Sequence, residues 1–307
     1  MYLEHFQLKS QPFSEHAAVS ALWQDQRMDE GLARLEYLTQ CGQLGLVTGP
    51  SGVGKSALLK RFLHGLLPQH CQAIYCHLTH LPSAGLLKMV VTTLGETPRR
   101  GKERLYEQIL ERATRAEGTL LLVFDEAHLL DGDALTDLRL LISSALDVRP
   151  PLKMLLVGQD PLRAVLRKAR HADLANRVSV RHQLRPLSRE QTCRYIDFQL
   201  SQAGGDTKVF DESVKTAIHD FTGGVPRQIN NLATACLLQA AASNISRINE
   251  SVVQQTLAAN THACVVAFWH RPVLSSVSRS RMPSLPCRHT LVTVSARQTK
   301  TLGKLQG

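Results

Sequence analysis

Gly49-Pro50-Ser51-Gly52-Val53-Gly54-Lys55-Ser56 fits the pattern G-x-x-x-x-G-K-[ST] at every fixed position, and its flanks decide what it means. The apolar run Leu44-Gly45-Leu46-Val47-Thr48 enters it, and Ala57-Leu58-Leu59-Lys60-Arg61-Phe62-Leu63 leaves it with helical periodicity. Strand, glycine-rich loop and helix, in that order, are what a phosphate-binding loop requires. Orphan amides at a helix N-terminus and the helix dipole both favour an anion there. The loop from Gly49 through Pro50, Ser51, Gly52, Val53 and Gly54 is therefore expected to cradle phosphates. Lys55 would reach the β- and γ-phosphates, and the Ser56 hydroxyl would sit on Mg²⁺. A nucleoside triphosphate is the predicted ligand.

Seventy residues downstream, Leu120-Leu121-Leu122-Val123-Phe124 ends in Asp125-Glu126. A continuous apolar run of this length reads as a strand covered on both faces, as in a parallel sheet. Lys153-Met154-Leu155-Leu156-Val157-Gly158-Gln159 is another, and residues 72–78 read as a further core strand. Helical stretches are predicted at about 82–94, 103–116 and 133–146, so the alternation indicates an α/β doubly wound fold. Ligands in such sheets sit at the carboxyl ends of the strands. Asp125 is then placed to hold the Mg²⁺ shell and Glu126 to polarise an attacking water. Gln159, polar at the end of its strand, could touch the γ-phosphate or that water. Asp125-Glu126-Ala127-His128 also spells the helicase signature DEAH, but no second motor domain is visible, and His128 reads as a supporting residue.

Upstream, residues 1–42 carry Tyr2, Phe6 and Pro12-Phe13, then a helix over about 29–41 suited to cover a nucleotide base. Residues 43–186 form the nucleotide-binding domain. From Ser188-Arg189-Glu190-Gln191, a capping-type helix start, residues 187–260 read as a small all-helical domain with turns at Gly204-Gly205 and Gly223-Gly224. Residues 261–307, rich in Ser, Arg, Pro and Thr, read as a basic disordered tail. Seven Lys or Arg and no Asp or Glu lie beyond residue 261, so this stretch carries most of the net charge of +10. The basic surplus favours nucleic acid or anionic surfaces as partners.

The chain of 307 residues is 43% hydrophobic and 20% charged, which suits a globular protein with a substantial core. No apolar run approaches the roughly 20 residues of a membrane helix, and the first residues lack signal-peptide character, so a cytoplasmic location is expected. The seven cysteines are scattered without a Cys-x-x-Cys pair and are expected as reduced thiols. His70-Cys71, Cys76-His77 and His80 cluster in sequence, but strand alternation would part them, so no zinc site is expected.

Taken together, the segments Tyr2-x-x-x-Phe6 to Pro12-Phe13, Gly49–Ser56, Leu120–His128, Leu155–Leu162 and Thr222–Leu232 resemble the AAA+ ATPases. Within them they resemble the ExeA-like family, which joins secretion-pathway A-type ATPases and transposon-encoded target-selection ATPases. The resemblance covers about residues 1–260. It implies ATP and Mg²⁺ as cofactors, ATP hydrolysis, and assembly into a homo-oligomer. It puts Gln159 at sensor 1, Arg227 of Gly224-Val225-Pro226-Arg227 at sensor 2, and Arg177 at the arginine finger for a neighbour's ATP, with Arg181 and Arg185 as competitors. A guanidinium beside the γ-phosphate stabilises charge spread over its oxygens. Secretion-type members continue into a membrane span, which the tail does not resemble, so the expected role is transposition: binding duplex DNA without sequence preference and targeting a transposase. The basic turn Arg99, Arg100 and Lys102, and a second group of Arg163, Arg167, Lys168 and Arg170, would touch DNA phosphates. The rival expectations are an ATPase acting on a protein partner in secretion or envelope assembly, and a nucleotide-binding switch without hydrolysis.

Overall fold

The computed structural model describes residues 2–14, 18–77, 82–144 and 152–263. Its organising layer is a five-stranded sheet of β1 (Leu44–Thr48), β2 (Cys71–His77), β3 (Thr119–Asp125), β4 (Leu152–Gly158) and β5 (Val178–Gln183), in the order β2-β3-β4-β1-β5. Every pairing is parallel. Parallel strands need crossovers, and here helices supply them: α3 (Lys55–Gly65), α4 (Ser83–Thr93), α5 (Lys102–Thr114), α6 (Gly132–Ser144), α7 (Pro161–Leu166) and α8 (Ala172–Asn176). Preceding them are α1 (Tyr2–His5) and α2 (Gln26–Gln40).

Strand alternation divides the core by face. Leu120, Leu122 and Phe124 of β3 join Leu44 and Leu46 of β1 in a cluster with α4, α5 and α6. Leu121 and Val123 join Val47, Leu155 and Val157 in the opposite cluster, with Leu35 and Leu38 of α2 and Leu58, Leu59 and Phe62 of α3. Burial on both faces is why these strands read as unbroken apolar runs. Lys153, buried within β4, stays solvated by the protein: its Nζ donates to Leu38 O and Thr39 O at the end of α2. A cation on the last carbonyls of a helix completes its hydrogen bonds and opposes its dipole.

Beyond the sheet, α9 (Arg189–Gln202), α10 (Glu212–Thr222), α11 (Pro226–Ala242) and α12 (Glu250–Ala263) build a helical core of their own. Ser188 caps α9, its hydroxyl accepting from Gln191 N while the Gln191 side chain accepts from Ser188 N. The N-terminal segment, expected as one unit through residue 42, divides between the two cores. Phe6, Leu8 and Phe13 bury themselves among α9–α12, whereas α2 packs on the sheet. Each such side chain contributes about 1.5–3 kcal/mol through burial, so the segment fastens onto the helical part. Residues 264–307, and with them nearly all of the expected tail, lie outside the described residues, as do the ends of the stretches predicted at 72–78 and 133–146.

Candidate functional site

Because all strands run the same way, the ends of β1, β3 and β4 come to one edge of the sheet. Thr48 pairs with Gly158, and Phe124 with Leu156, so Gly49, Asp125 and Gln159 leave adjacent strands at nearly one level. The loop after Thr48 then turns sharply. Gly52 has φ 76°, which favours glycine, and a Cβ there would lie 2.7 Å from Arg227 Cβ. At Gly49 a Cβ would lie 2.4 Å from Leu184 O. Both glycines are required by close approach as well as by the turn.

The helical part closes over this loop. Arg227 begins α11 beside Pro226, and its backbone N–H donates to Gly52 O at 3.2 Å. Between them lies a cavity of about 290 Å³ lined by Ser51 through Ala57, Glu126 and Arg227. Its other wall holds Leu22, Trp23, Met28, Tyr195 and Asn230, apolar and aromatic side chains with a few polar groups among them. Trp23 stacks edge-on against Tyr195, whose hydroxyl donates to Asn230 Oδ1 at 2.8 Å. The helix expected to cover the base contributes only its first turn, Arg27 and Met28. Ala21, at the end of the short turn Val19–Ala21, with Leu22 and Trp23 after it, lines this wall together with Tyr195 and Asn230.

Lys55 is buried, and its Nζ donates to Gly49 O at 2.9 Å and Pro50 O at 2.8 Å. Burial pushes this ammonium below its ordinary pKa, while the charges of Glu126, Asp125 and Asp160 pull it back up. A phosphate on the loop would add to that pull. Ser56 is exposed on the first turn of α3, and Asp125 is buried at the end of β3. A hydroxyl and one carboxylate are the sparse, hard-oxygen donor set that suits Mg²⁺ shared with phosphates, and no cluster of three or more His, Cys, Asp or Glu converges among the described residues. Both oxygens of Asp125 are held: Oδ1 accepts Glu126 N at 2.8 Å, and Oδ2 accepts the Tyr75 hydroxyl at 2.6 Å. Burial, that hydrogen bond and the two neighbouring carboxylates raise the Tyr75 pKa, so the phenol remains a donor.

Glu126 adopts φ 55° and ψ 32°, left-handed backbone that costs a non-glycine residue about 1–3 kcal/mol and clusters at functional sites. The turn directs its half-exposed carboxylate into the cleft, with His128 Nδ1 3.3 Å from Oε2. Gln159 is half-buried directly after β4, and Asp160 beside it accepts from Gln183 Nε2 at 3.3 Å. Arg177 is elsewhere. It precedes β5, at the end of the sheet opposite the loop, roughly 20 Å away along a six-residue strand. Arg181 is exposed on β5, and Arg185 follows it at the loop end. Of the expected DNA contacts, Arg100, Arg167 and Lys168 are exposed. Arg99 is exposed with its guanidinium 4.0 Å from Glu111. Lys102 has a structural duty: its Nζ donates to Asp137 Oδ2 at 2.9 Å, and that buried carboxylate also takes the Ser83 hydroxyl. Arg170 donates to His171 Nε2 and covers Gly132.

Sequence reasoning passed over Tyr75, Asp160 and the base-side wall. Asp160 adjoins Gln159 and was within sight of the motif. Tyr75, Trp23, Tyr195 and Asn230 carry no local signal, because they meet the loop only through the fold.

Residues 39–166 match the family described as AAA domain. The chain is 32% identical over 255 residues to General secretion pathway protein A of Aeromonas hydrophila, across 81% of this chain and 46% of the relative. It thus spans about half the length of that curated relative. Among solved structures it is similar to Cdc6p of Pyrobaculum aerophilum, with TM-score 0.64 and 15% identity over 80% of this chain and 70% of that one. The ORC1 protein of Aeropyrum pernix, solved in complex with DNA, gives TM-score 0.59 and 17% identity over 80% and 68% of the two chains. At such identities these two establish a shared fold.

Proposed function

We propose that this chain, which matches an AAA domain over residues 39–166, is an AAA+ ATPase of the ExeA-like family that hydrolyses ATP at subunit interfaces and uses nucleotide-dependent assembly to act on DNA. The observation that carries the reading is a single cleft that gathers the phosphate loop, Glu126 and Arg227, with Asp125 buried at the end of β3 next to Glu126 and Arg177 at the far end of the sheet. Lys55 and the loop amides bind the phosphates, Ser56 and Asp125 hold Mg²⁺, and Glu126 orients the attacking water. When bound, Mg²⁺ neutralises charge on the β- and γ-phosphate oxygens. Gln159 watches the γ-phosphate from the next strand, and Arg227 brings a guanidinium to it from the helical part. Arg177 cannot reach its own loop and acts on the nucleotide of a neighbouring copy.

DNA is engaged through phosphate contacts from Arg99, Arg100, Arg167 and Lys168, which carry no sequence information. The partner class is a transposase, as in the target-selection ATPases that the chain resembles. A second reading, an ATPase that acts on a protein partner in secretion, is favoured by the 32% identity with General secretion pathway protein A.

The test is retention of radiolabelled duplex DNA on filters at low salt, with ATP and Mg²⁺, for the wild type, Lys55→Ala and Arg100→Ala. ATP-dependent retention that Lys55→Ala abolishes and Arg100→Ala weakens supports the DNA reading. Tight ATP binding without any DNA retention overturns it in favour of the protein-partner reading. Lys102 is unsuitable for such a test, since its loss would leave Asp137 buried and unpaired.

A further inference from the structure

On β2, Tyr75 stands opposite Val123, and His77 stands opposite Asp125. Tyr75 and Asp125 are therefore diagonal neighbours on adjacent strands and share one face of the sheet. Diagonal Cα atoms lie about 7–8 Å apart, a gap that a long aromatic side chain can bridge. The Tyr75 hydroxyl does so, donating to Asp125 Oδ2 at 2.6 Å, while Glu126 N holds Oδ1 at 2.8 Å. Asp125 itself is only 3% exposed, so solvent does little to orient it. The Tyr75 residue is 41% exposed, so its ring adds little to the core. What the hydroxyl does for the fold is correspondingly small; what it does for the carboxylate is specific.

We propose that Tyr75 is a positioning residue whose hydroxyl fixes the Asp125 carboxylate in the orientation that serves the Mg²⁺ of a bound nucleotide. An ionised carboxylate has about four acceptor positions, two on each oxygen. One on each is taken by Tyr75 and by Glu126 N, so the remaining lone pairs are directed and the carboxylate cannot rotate away. Hydrogen-bond partners behind a metal-binding carboxylate set its orientation, and their loss typically weakens metal affinity by about 10- to 100-fold. A phenol whose ring is partly in water and whose oxygen is hydrogen-bonded belongs at the lower end of that range. This inference rests on the nucleotide reading of the cleft.

The test measures binding of a fluorescent ATP analogue to the full chain, in Mg²⁺ and in EDTA, for the wild type, Tyr75→Phe and Lys55→Ala. Tyr75→Phe is expected to bind as the wild type does in EDTA, within about twofold, and about tenfold more weakly in Mg²⁺. Its Mg²⁺ concentration for half-maximal binding should rise in proportion. An unchanged ratio of the two affinities would overturn the proposal, and so would equal weakening in both buffers, because general damage to the pocket does not distinguish them. Wild-type protein that binds no nucleotide, or whose binding survives Lys55→Ala, would overturn the nucleotide reading and this inference with it. An unchanged ratio overturns the role of Tyr75 alone.

Discussion

Glu126, the proposed water-orienting residue, sits in a left-handed backbone conformation that a glutamate does not favour, and the adjacent buried turn at Ala127 holds it there. Replacing it with glutamine keeps the shape and the backbone demand but removes the carboxylate proposed to polarise water. Glu126→Gln is expected to lower steady-state phosphate release by roughly 10²- to 10⁴-fold while ATP affinity stays within about twofold. A colorimetric phosphate assay beside a binding titration checks both halves, and unchanged turnover would revive the non-hydrolysing switch. The placement of Glu126 at the cleft was legible in sequence because it adjoins Asp125 at the end of an apolar run. The strain was not, since φ at one position depends on what the chain does after the strand.

Among the elements, α2 is the one whose placement sequence reading caught least. Its apolar face, Leu32, Leu35 and Leu38, announced a helix over 29–41, but the helix begins at Gln26 because Asp25 caps it, accepting from Met28 N at 3.1 Å. Only the cap at Asp25 marks the start, since Met28 in the first turn is the single apolar residue ahead of Leu32. The helix lies between α3 and β5, and Gly31 marks the tightest point. A Cβ there would sit 2.9 Å from His182 Nε2 and 2.9 Å from a Leu58 methyl group. Both neighbours are buried, with His182 5% and Leu58 1% exposed, so neither can step aside freely. Alanine gains about 1 kcal/mol over glycine in helix propensity, but overpacking a tight core costs about 1–3 kcal/mol. Gly31→Ala is thus expected to destabilise, against the propensity rule, and chemical denaturation would show a lower midpoint. A rise in the midpoint would mean that the junction is looser than these distances indicate.

For the whole molecule, the parallel sheet separates the phosphate loop from the proposed arginine finger. The loop sits at the carboxyl ends of the strands and Arg177 at the opposite end, so on the proposed reading hydrolysis requires two copies. Arg177→Ala is expected to bind ATP normally and to lose about 10³-fold or more in turnover, the scale set by arginine fingers. Lys55→Ala keeps Arg177 but binds no nucleotide. Mixing the two inactive variants should restore activity at interfaces that join a working loop to a working arginine, read as phosphate release against mixing ratio. No restoration at any ratio would place the required arginine in the same chain, with Arg185 the first alternative. No helix among the described residues is long and apolar enough to cross a membrane. By itself the sequence determined the α/β class, the loop, Asp125-Glu126 and the change to helices after residue 186, because each is written in consecutive residues: a fixed spacing, an apolar run, a change of period. Only the tertiary structure decided that Phe6, Leu8 and Phe13 belong to the helical core, that Lys102 serves Asp137, and that Tyr75 holds Asp125. Those are contacts between residues tens to hundreds of positions apart, set by strand order and register, and nothing in the local pattern of either partner encodes the other. The loop at Gly49–Ser56 could be read at once; what holds the carboxylate beside it could not.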